Sequence, residues 1–212
     1  MLLLFAVAVG FIFHYILTKK KYLEGVTLLM AFGIGVFLVF KFFPQTLNRF
    51  KELTHTQFDY SSRGAESHYN MEVTADQWNG ANFRLAAWRC GWDLFLQHPL
   101  IGVGLGDKQD ELVKEYAKKG FQFGIDTKKN VHNNYLDVLI STGIIGFAVF
   151  IVAWLGLPLY YSARQRDWLA VLIISSIGVA IFTEVYFDRT VGGMIVGFFV
   201  PFLLTDYRHK AT

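Results

Sequence analysis

The chain has 212 residues, of which 53% are hydrophobic, 17% aromatic and only 17% charged, and its mean hydropathy is +0.35. This apolar content exceeds that of ordinary soluble proteins and predicts an all-α, polytopic membrane protein. The formal net charge of +3 is carried by lysines and arginines near helix ends, which indicates anchoring at a membrane surface and no nucleic-acid partner.

Five apolar runs are candidate membrane spans, because a helix needs about 20 residues, with a range of about 17 to 25, to cross the hydrocarbon. In chain order they are residues 1–17, 26–43, 138–161, 168–185 and 191–204. The first run lacks the basic start and small-residue cleavage site of a signal peptide, so we expect a helix that is cut at its start.

Basic clusters orient these spans, since short cytoplasmic loops collect Lys and Arg. They follow the first, third and fifth runs (Lys19, Lys20, Lys21; Arg164, Arg166; Arg208, Lys210). Residues 44–131 then lie on the opposite face, and their 11 basic and 11 acidic side chains would each cost about 2.5 to 3.5 kcal/mol in lipid.

The resulting prediction has three parts. Residues 1–43 form two transmembrane helices, residues 44–131 an extracytoplasmic loop with amphipathic helices, and residues 132–212 three transmembrane helices with a short cytoplasmic tail. This orientation leaves Met1 on the far side with no preceding helix, so we expect the chain to be the C-terminal half of a larger protein.

Within the loop, residues 82–98 predict an amphipathic helix that ends before Pro99. Its apolar residues recur at spacings of three and four and form one stripe that is expected to lie on the membrane or on neighbouring helices: Leu85, Trp88, Trp92, Phe95 and Leu96. Arg89 and Asp93 are four apart and can pair. Arg84 is then either a snorkelling interfacial cation or a functional group.

Residues 99–106 predict a tight glycine-rich connection, followed by a charged helix over 108–119 with Asp107 as its N-cap and Gly120 as its stop. The glycine spacing matches no phosphate-binding motif, which leaves the amides near Asp107 as a minor anion site. Scattered histidines and the single Cys90 predict no metal site, no internal disulfide and no nucleophilic hydrolase.

The stretch KKNVHNNYLDVLISTGIIG, residues 128–146, passes from lysines through a His-Asn-Asn triplet into an apolar run. His132 is there either as an interfacial residue or as a base for chemistry at the bilayer surface. Asn134 and Asp137 are expected to cap the helix or to pair with nearby lysines.

Near the fourth run, Glu184 or Asp188 is expected to pair with Arg189 at the interface. Ionisable groups inside a membrane are costly, so Glu184 and Arg189 are also second-tier candidates for a functional site.

Residues 83–150 resemble the signature region of the O-antigen ligase and O-antigen polymerase superfamily. In that family an Arg-x-x-x-Trp helix is followed by HPLxGxGxG, then by a His-Asn motif opening a transmembrane helix, then by Gly-x-x-Gly. All four occur here in order, in FRLAAWRCGWDLFLQHPLIGVGLGD and VHNNYLDVLISTGIIGFAVF. The fold is therefore expected to resemble the C-terminal half of a C-type glycosyltransferase.

The resemblance implies a metal-independent, inverting glycosyltransferase of the bacterial inner membrane, without a cofactor and with its large loop in the periplasm. The donor is expected to be a glycan on undecaprenyl diphosphate. A ligase passes it to the lipid A core, whereas a polymerase, the alternative, passes it to another lipid-linked repeat. His132 matches the family's essential histidine and Arg84 its loop arginine; the other essential arginine lies upstream of this region and has no counterpart that we can place.

These implied roles are chemically reasonable. A neutral imidazole at His132 can accept a proton from an acceptor hydroxyl, and the guanidinium of Arg84 offers a planar fork to diphosphate oxygens. Asn133, Trp88 and Arg89 are candidates for substrate binding. Two other classes stay open, a non-catalytic scaffold and a transporter, although a transporter is expected to have broken helices with polar residues at mid-membrane.

Overall fold

The computed structural model describes residues 2–43, 51–67, 74, 77–194, 197–198 and 201. Regular structure in these residues is helical, and none of them forms a strand. The helices are α1 (Leu2–Lys19), α2 (Tyr22–Phe42), α3 (Gly80–Gln97), α4 (Lys108–Lys118), α5 (Gln122–Thr127), α6 (Asn134–Phe150), α7 (Leu157–Arg164), α8 (Trp168–Ala180) and α9 (Thr190–Met194). A 3₁₀ turn, Glu52–Thr54, precedes α3, and a π-helical turn, Ile151–Gly156, joins α6 to α7.

Among the residues that the structure describes, two helices are long and apolar enough to cross a membrane. They are α2, with 21 residues, and the stretch Asn134–Arg164, with 31 residues and a kink at Gly143, which correspond to the second and third predicted spans. The all-helical class is thus confirmed, whereas the count of five spans and the extracytoplasmic position of the loop stay predictions. Half of the fifth predicted span, residues 191–204, lies outside the described residues.

The fourth predicted span is shorter than expected. Helix α8 has 13 residues, about 20 Å at 1.5 Å per residue, and ends at Ala180 instead of Val185. Its start is capped by Asp167, whose carboxylate accepts from the N–H groups of Leu169 and Ala170. After its end, the carbonyl of Ile181 accepts a hydrogen bond from the N–H of Asn134 at 2.9 Å.

The described residues divide into two compact units. The first contains α1, the start of α2, Asn133–Tyr135 and the chain from Ile145 onward. In it, α1 and α7 both pack against α8. Ala170 and Ile174 of α8 are buried and form a core with partly buried neighbours: Trp154, Leu155, Leu159, Ile177 and Phe187.

The second unit contains Ala31–His132 and Leu136–Ile144. Its core is an aromatic cluster in which the buried ring of Phe121 contacts four other rings, those of Tyr60, Trp78, Phe83 and Tyr116. Burial raises the pKa of the Tyr60 and Tyr116 hydroxyls and raises the pKa of the neighbouring Cys90 thiol to about 11.

Helix α3 begins two residues earlier than predicted because Asn79 caps it. The Asn79 side chain accepts from the N–H groups of Ala81 and Asn82, and the Asn82 side chain accepts from the N–H of Asn79 at 2.8 Å. This reciprocal capping box satisfies donors that a helix start would otherwise leave without partners. The helix ends at Gln97, before Pro99, as predicted.

The predicted apolar stripe of α3 packs against the protein only in part. Leu85, Trp92 and Leu96 are 37%, 50% and 56% exposed, whereas Phe95 is buried and Trp88 half-buried. The buried residues of the helix, half of which are small, are Asn82, Phe83, Ala86, Ala87, Cys90, Gly91, Leu94 and Phe95. Small side chains allow close approach of neighbouring segments, as at Gly91, where a Cβ would lie 2.9 Å from side-chain atoms of Val131 and Ile140. That the exposed stripe lies on the membrane stays a prediction.

Two details of the loop also differ from expectation. Asp93 forms its salt bridge with Lys119, so its predicted pairing with Arg89 is wrong. Asp107 precedes α4 as predicted, but its side chain makes no capping hydrogen bond. Gly120 follows α4 with a φ of +68°, and it therefore ends the helix as predicted.

Candidate functional site

Arg84 lies in the first turns of α3 and is half-buried. Its Nη1 donates a hydrogen bond to the carbonyl of Gly80, one turn earlier. A Cβ on Gly80 would lie 3.0 Å from this Nη1 and 3.0 Å from Oε2 of Glu52. Glycine at this position therefore lets a guanidinium and a carboxylate approach the same point of the helix.

His132 lies in a tight stretch just before α6. Its φ of +48° is in the left-handed region, which costs a residue with a Cβ roughly 1–2 kcal/mol. Its N–H donates to the Asn130 side chain at 3.0 Å, which stabilises the turn. Its half-buried ring meets the Phe83 ring edge-on, with centroids 5.8 Å apart. Strained backbone of this kind is often found at functional sites.

Two contacts of α3 bring its arginine face and His132 to the same part of the second unit. The Trp88 Nε1 donates to the carbonyl of Val131 at 2.8 Å, and the Phe83 ring contacts His132. Phe83 directly precedes Arg84, and Trp88 lies one turn after it on the same face. The two residues matched to the family are thus linked through α3 by contacts on both sides of Arg84.

Lys129 is a further cation of this region that the sequence did not single out. Its Nζ lies over the rings of Phe83 and Phe123, at 5.4 and 5.3 Å from their centroids, and it forms a salt bridge with Glu66. The signal was present in the lysines that precede His132, but spacing alone does not tell which of them turns towards Phe83.

The glycine-rich turn that follows α3, residues 99–104, packs against α6 through backbone hydrogen bonds. The N–H groups of Val103 and Gly104 donate to the carbonyls of Ile140 and Ser141 at 2.9 Å each, and the N–H of Ile144 donates to Pro99 at 2.8 Å. These bonds replace helical bonds that α6 loses at Gly143, whose φ is +65°. The prediction of a tight connection therefore holds, and the N–H groups of Gly102, Val103 and Gly104 are occupied by the protein's own carbonyls. An anion site at the amides near Asp107 stays a prediction.

The polar residues at the start of α6 have structural partners. Asp137 forms a salt bridge with Lys108 at 2.6 Å, in which both side chains are nearly buried, so its predicted pairing with a lysine is confirmed. Asn134 is fully buried, and its side-chain oxygen accepts from the N–H of Phe187 at 3.1 Å. Asn133, a substrate-binding candidate, is buried.

The remaining candidates lie at the surface or in a simple pair. Arg89 is exposed on α3. Glu184 pairs with Arg189 at 3.2 Å, as predicted. Across the ranges that the structure describes, no three His, Cys, Asp or Glu side chains are grouped so that they could hold a metal ion.

The family model described as O-antigen ligase matches residues 1–151. The chain belongs to the O-antigen ligase family. The matched part contains α1 to α6, including Arg84 and His132, whereas Glu184 and Arg189 lie outside it. Members are membrane proteins of the O-antigen ligase or polymerase type, glycosyltransferase-like, that act on lipid-linked glycans. Comparison with curated proteins and with solved structures gives no match.

Proposed function

We propose that this O-antigen ligase family chain carries the reacting groups of an inner-membrane glycosyltransferase. It moves a glycan from undecaprenyl diphosphate to an acceptor sugar of the lipid A core, with residues 44–131 on the periplasmic side. His132 is the base, and Arg84 binds the diphosphate. A polymerase that extends lipid-linked repeats would use the same donor and the same two groups.

One observation carries the proposal: α3 contacts residues 131–132 on both sides of Arg84, through Phe83 and through Trp88. A cation and an imidazole from segments far apart in the sequence are thereby held in one region. This is what a transfer reaction needs, because one group must act on the nucleophile and the other on the leaving group.

The proposed step is a single displacement. The acceptor hydroxyl oxygen attacks the anomeric carbon while His132 takes its proton, and the bond from that carbon to the diphosphate oxygen breaks. The electron pair leaves with the diphosphate, whose negative charge is stabilised by the fork of Arg84 and by the nearby Lys129. Attack opposite the leaving group inverts the anomeric centre.

The position of His132 along the chain fits a lipid-linked donor. The residue is followed at once by the apolar helix Asn134–Arg164, one of the two candidate spans. A donor whose polyprenyl tail lies in the bilayer presents its diphosphate at the membrane surface, where such a helix begins. Asn133, Trp88 and Arg89 are the candidates for contacts with the sugars.

The test is glycan transfer from purified lipid-linked donor by the intact protein in nanodiscs. His132→Ala and Arg84→Ala are each expected to lower the rate by about 10²–10⁴, the usual contribution of a general base or of an oxyanion-stabilising group. The exposed Arg63 supplies the control Arg63→Ala, which is expected to leave the rate unchanged. Near-normal transfer by folded His132→Ala protein would refute the base assignment.

The identity of the acceptor is determined from the glycans that accumulate in cells lacking the protein. Accumulation of polymeric glycan on the lipid carrier indicates a ligase, whereas single repeats attached to the core indicate a polymerase. Transfer in nanodiscs without other proteins also separates both enzymes from a transporter or a scaffold.

A further inference from the structure

Glu52 is a buried acidic side chain for which the proposed reaction has no role. It belongs to the 3₁₀ turn Glu52–Thr54, is only 5% exposed, and its oxygens accept from the N–H of Gly80 at 3.1 Å and from Ser67 Oγ at 3.3 Å. Burying a carboxylate is expensive unless hydrogen bonds and a cation compensate. Its position beside the first turn of α3 therefore needs an explanation.

Gly80 connects this carboxylate to Arg84. Its N–H donates to Glu52, and its carbonyl accepts from Arg84. The Nη1 of Arg84 and Oε2 of Glu52 both lie 3.0 Å from the point where a Cβ of Gly80 would be. A negative and a positive group thus approach the same point beside one glycine, in a partly desolvated place where their attraction is stronger than in water.

A role as a helix cap does not account for the charge of Glu52. A carboxylate at a helix start is favourable, but Asn79 already caps α3 and accepts from Ala81 and Asn82. Its two oxygens accept separate bonds, one from Ser67 Oγ and one from the N–H of Gly80. Two neutral donors do not offset the burial of a full negative charge, so a cation close to Glu52 is still needed.

We propose that Glu52 is a positioning residue for Arg84 in the transfer reaction, an inference that rests on the proposed function. Its carboxylate and the Gly80 carbonyl hold one edge of the guanidinium against the first turn of α3. A guanidinium has five N–H donors in one plane, so fixing this edge sets the direction of the fork that meets the diphosphate. The orientation then needs no rearrangement when the leaving group becomes charged.

This role predicts a specific split in the kinetic constants. Removing the charge of Glu52 frees the guanidinium to adopt other orientations, which lowers kcat. It also makes the site more positive, so the ground-state affinity for a diphosphate does not fall. A residue that served only the fold would instead reduce the amount of active protein, with no change in the constants of what remains.

The experiment measures kcat and donor KM for glycan transfer by the intact protein in nanodiscs, per folded molecule. Glu52→Gln, which removes the charge and keeps one of the two acceptor oxygens, is expected to lower kcat about 10-fold with donor KM unchanged or lower. Glu52→Asp is expected to recover part of the loss. The matched control is Glu111→Gln on α4, whose carboxylate pairs with Lys114 at the surface and is expected to have no effect.

A double-mutant cycle with Arg84→Lys, which keeps the charge but lacks the fork, tests whether Glu52 acts through Arg84. In that background Glu52→Gln is expected to change kcat by less than twofold. The inference is wrong if Glu52→Gln alone leaves kcat within twofold of wild type, or if it lowers kcat 10-fold in both backgrounds. Should Glu52→Gln fail to fold, Gly80→Ala, which pushes the two groups apart, is expected to give the same kcat loss and takes its place.

The outcomes separate the two proposals. Normal transfer by Arg84→Ala overturns the proposed function whatever Glu52 does. An inactive Arg84→Ala beside a fully active Glu52→Gln overturns only the positioning role.

Discussion

Two stretches of the chain carry the same Gly-x-Gly pattern and use it in opposite ways. Gly33 and Gly35 lie within α2, where a Cβ on either would meet nothing within 4 Å. Gly102 and Gly104 lie in the turn after α3, where φ is +69° and +95° and a Cβ on Gly102 would come within 2.4 Å of the Ser141 backbone. The pattern alone therefore says nothing about how tightly a glycine is constrained.

The two Gly-x-Gly stretches differ in whether another segment of backbone packs against them. The turn Pro99–Gly104 supplies donors and acceptors to α6 at the Gly143 kink, so two main chains meet without side chains between them. Helix α2 satisfies its own backbone, and its side chains are almost entirely exposed. Substitutions of glycine are therefore expected to have large effects at the turn and small effects at Gly33 and Gly35 of α2.

The largest effect is expected for Gly143→Ala. The new Cβ would lie 2.3 Å from the Leu100 backbone, on a residue whose φ is +65°. The left-handed conformation and the overlap together are expected to cost about 3 kcal/mol or more, seen as a lower thermal midpoint in detergent by tryptophan fluorescence.

Gly33→Ala is the matched control for this change. It is expected to leave the midpoint unchanged or to raise it slightly, because alanine favours a helix by about 1 kcal/mol over glycine. Equal midpoints for the two variants would show that the turn and α2 do not differ as described.

The second effect tests the ion pair that joins the segment after the turn to α6. Lys108→Met leaves the Asp137 carboxylate nearly buried without its cation, and is expected to cost about 2–3 kcal/mol. Lys114→Met removes an exposed lysine from its pair with Glu111 and is expected to cost under about 0.5 kcal/mol. Similar unfolding midpoints for both variants would contradict the difference in burial.

These cases show which features the sequence could predict. The ends of α3 and α4 were close to prediction because Pro99 and Gly120 act locally. The buried face of α3 was not, because hydrophobicity ranks Leu85 and Trp92 above Ala86, although close packing on this helix favours small residues. Helix ends that are set by neighbouring residues can therefore be predicted from the sequence, whereas buried faces depend on packing partners that lie elsewhere in the chain.

The residues of the candidate site show the same difference between local and long-range features. Arg84 and His132 could be selected as candidates by motif, because each lies in a signature whose order can be read along the chain. The proposed role of Glu52 could not be predicted, because Glu52 contacts Gly80 from 28 residues away, through a loop with no periodic pattern. Asp93 likewise pairs with Lys119 of the next helical segment instead of the nearer Arg89.

The third effect concerns the contact between α3 and the histidine segment. Trp88→Phe removes the donor to the Val131 carbonyl and is expected to cost about 1.5 kcal/mol and to slow glycan transfer. Trp92→Phe, on the exposed stripe of the same helix, is expected to change neither. If Trp88→Phe transfers glycan at the wild-type rate, this hydrogen bond does not help to position His132.

The smallest effect comes from the buried face of α3 and depends on pH. Burial raises the pKa of the Cys90 thiol to about 11, whereas in the unfolded chain it is near 8.5. Below pH 8.5 both states keep the proton; above it only the unfolded state loses it, so stability falls until the pH passes about 11. By pH 9 the loss is about 1 kcal/mol. Cys90→Ala removes this dependence. Between pH 8 and 10 the thermal midpoint of the wild type is therefore expected to fall relative to that of Cys90→Ala. A difference that stays constant over this range would mean that water reaches the thiol, and that the small-residue face of α3 is not closed.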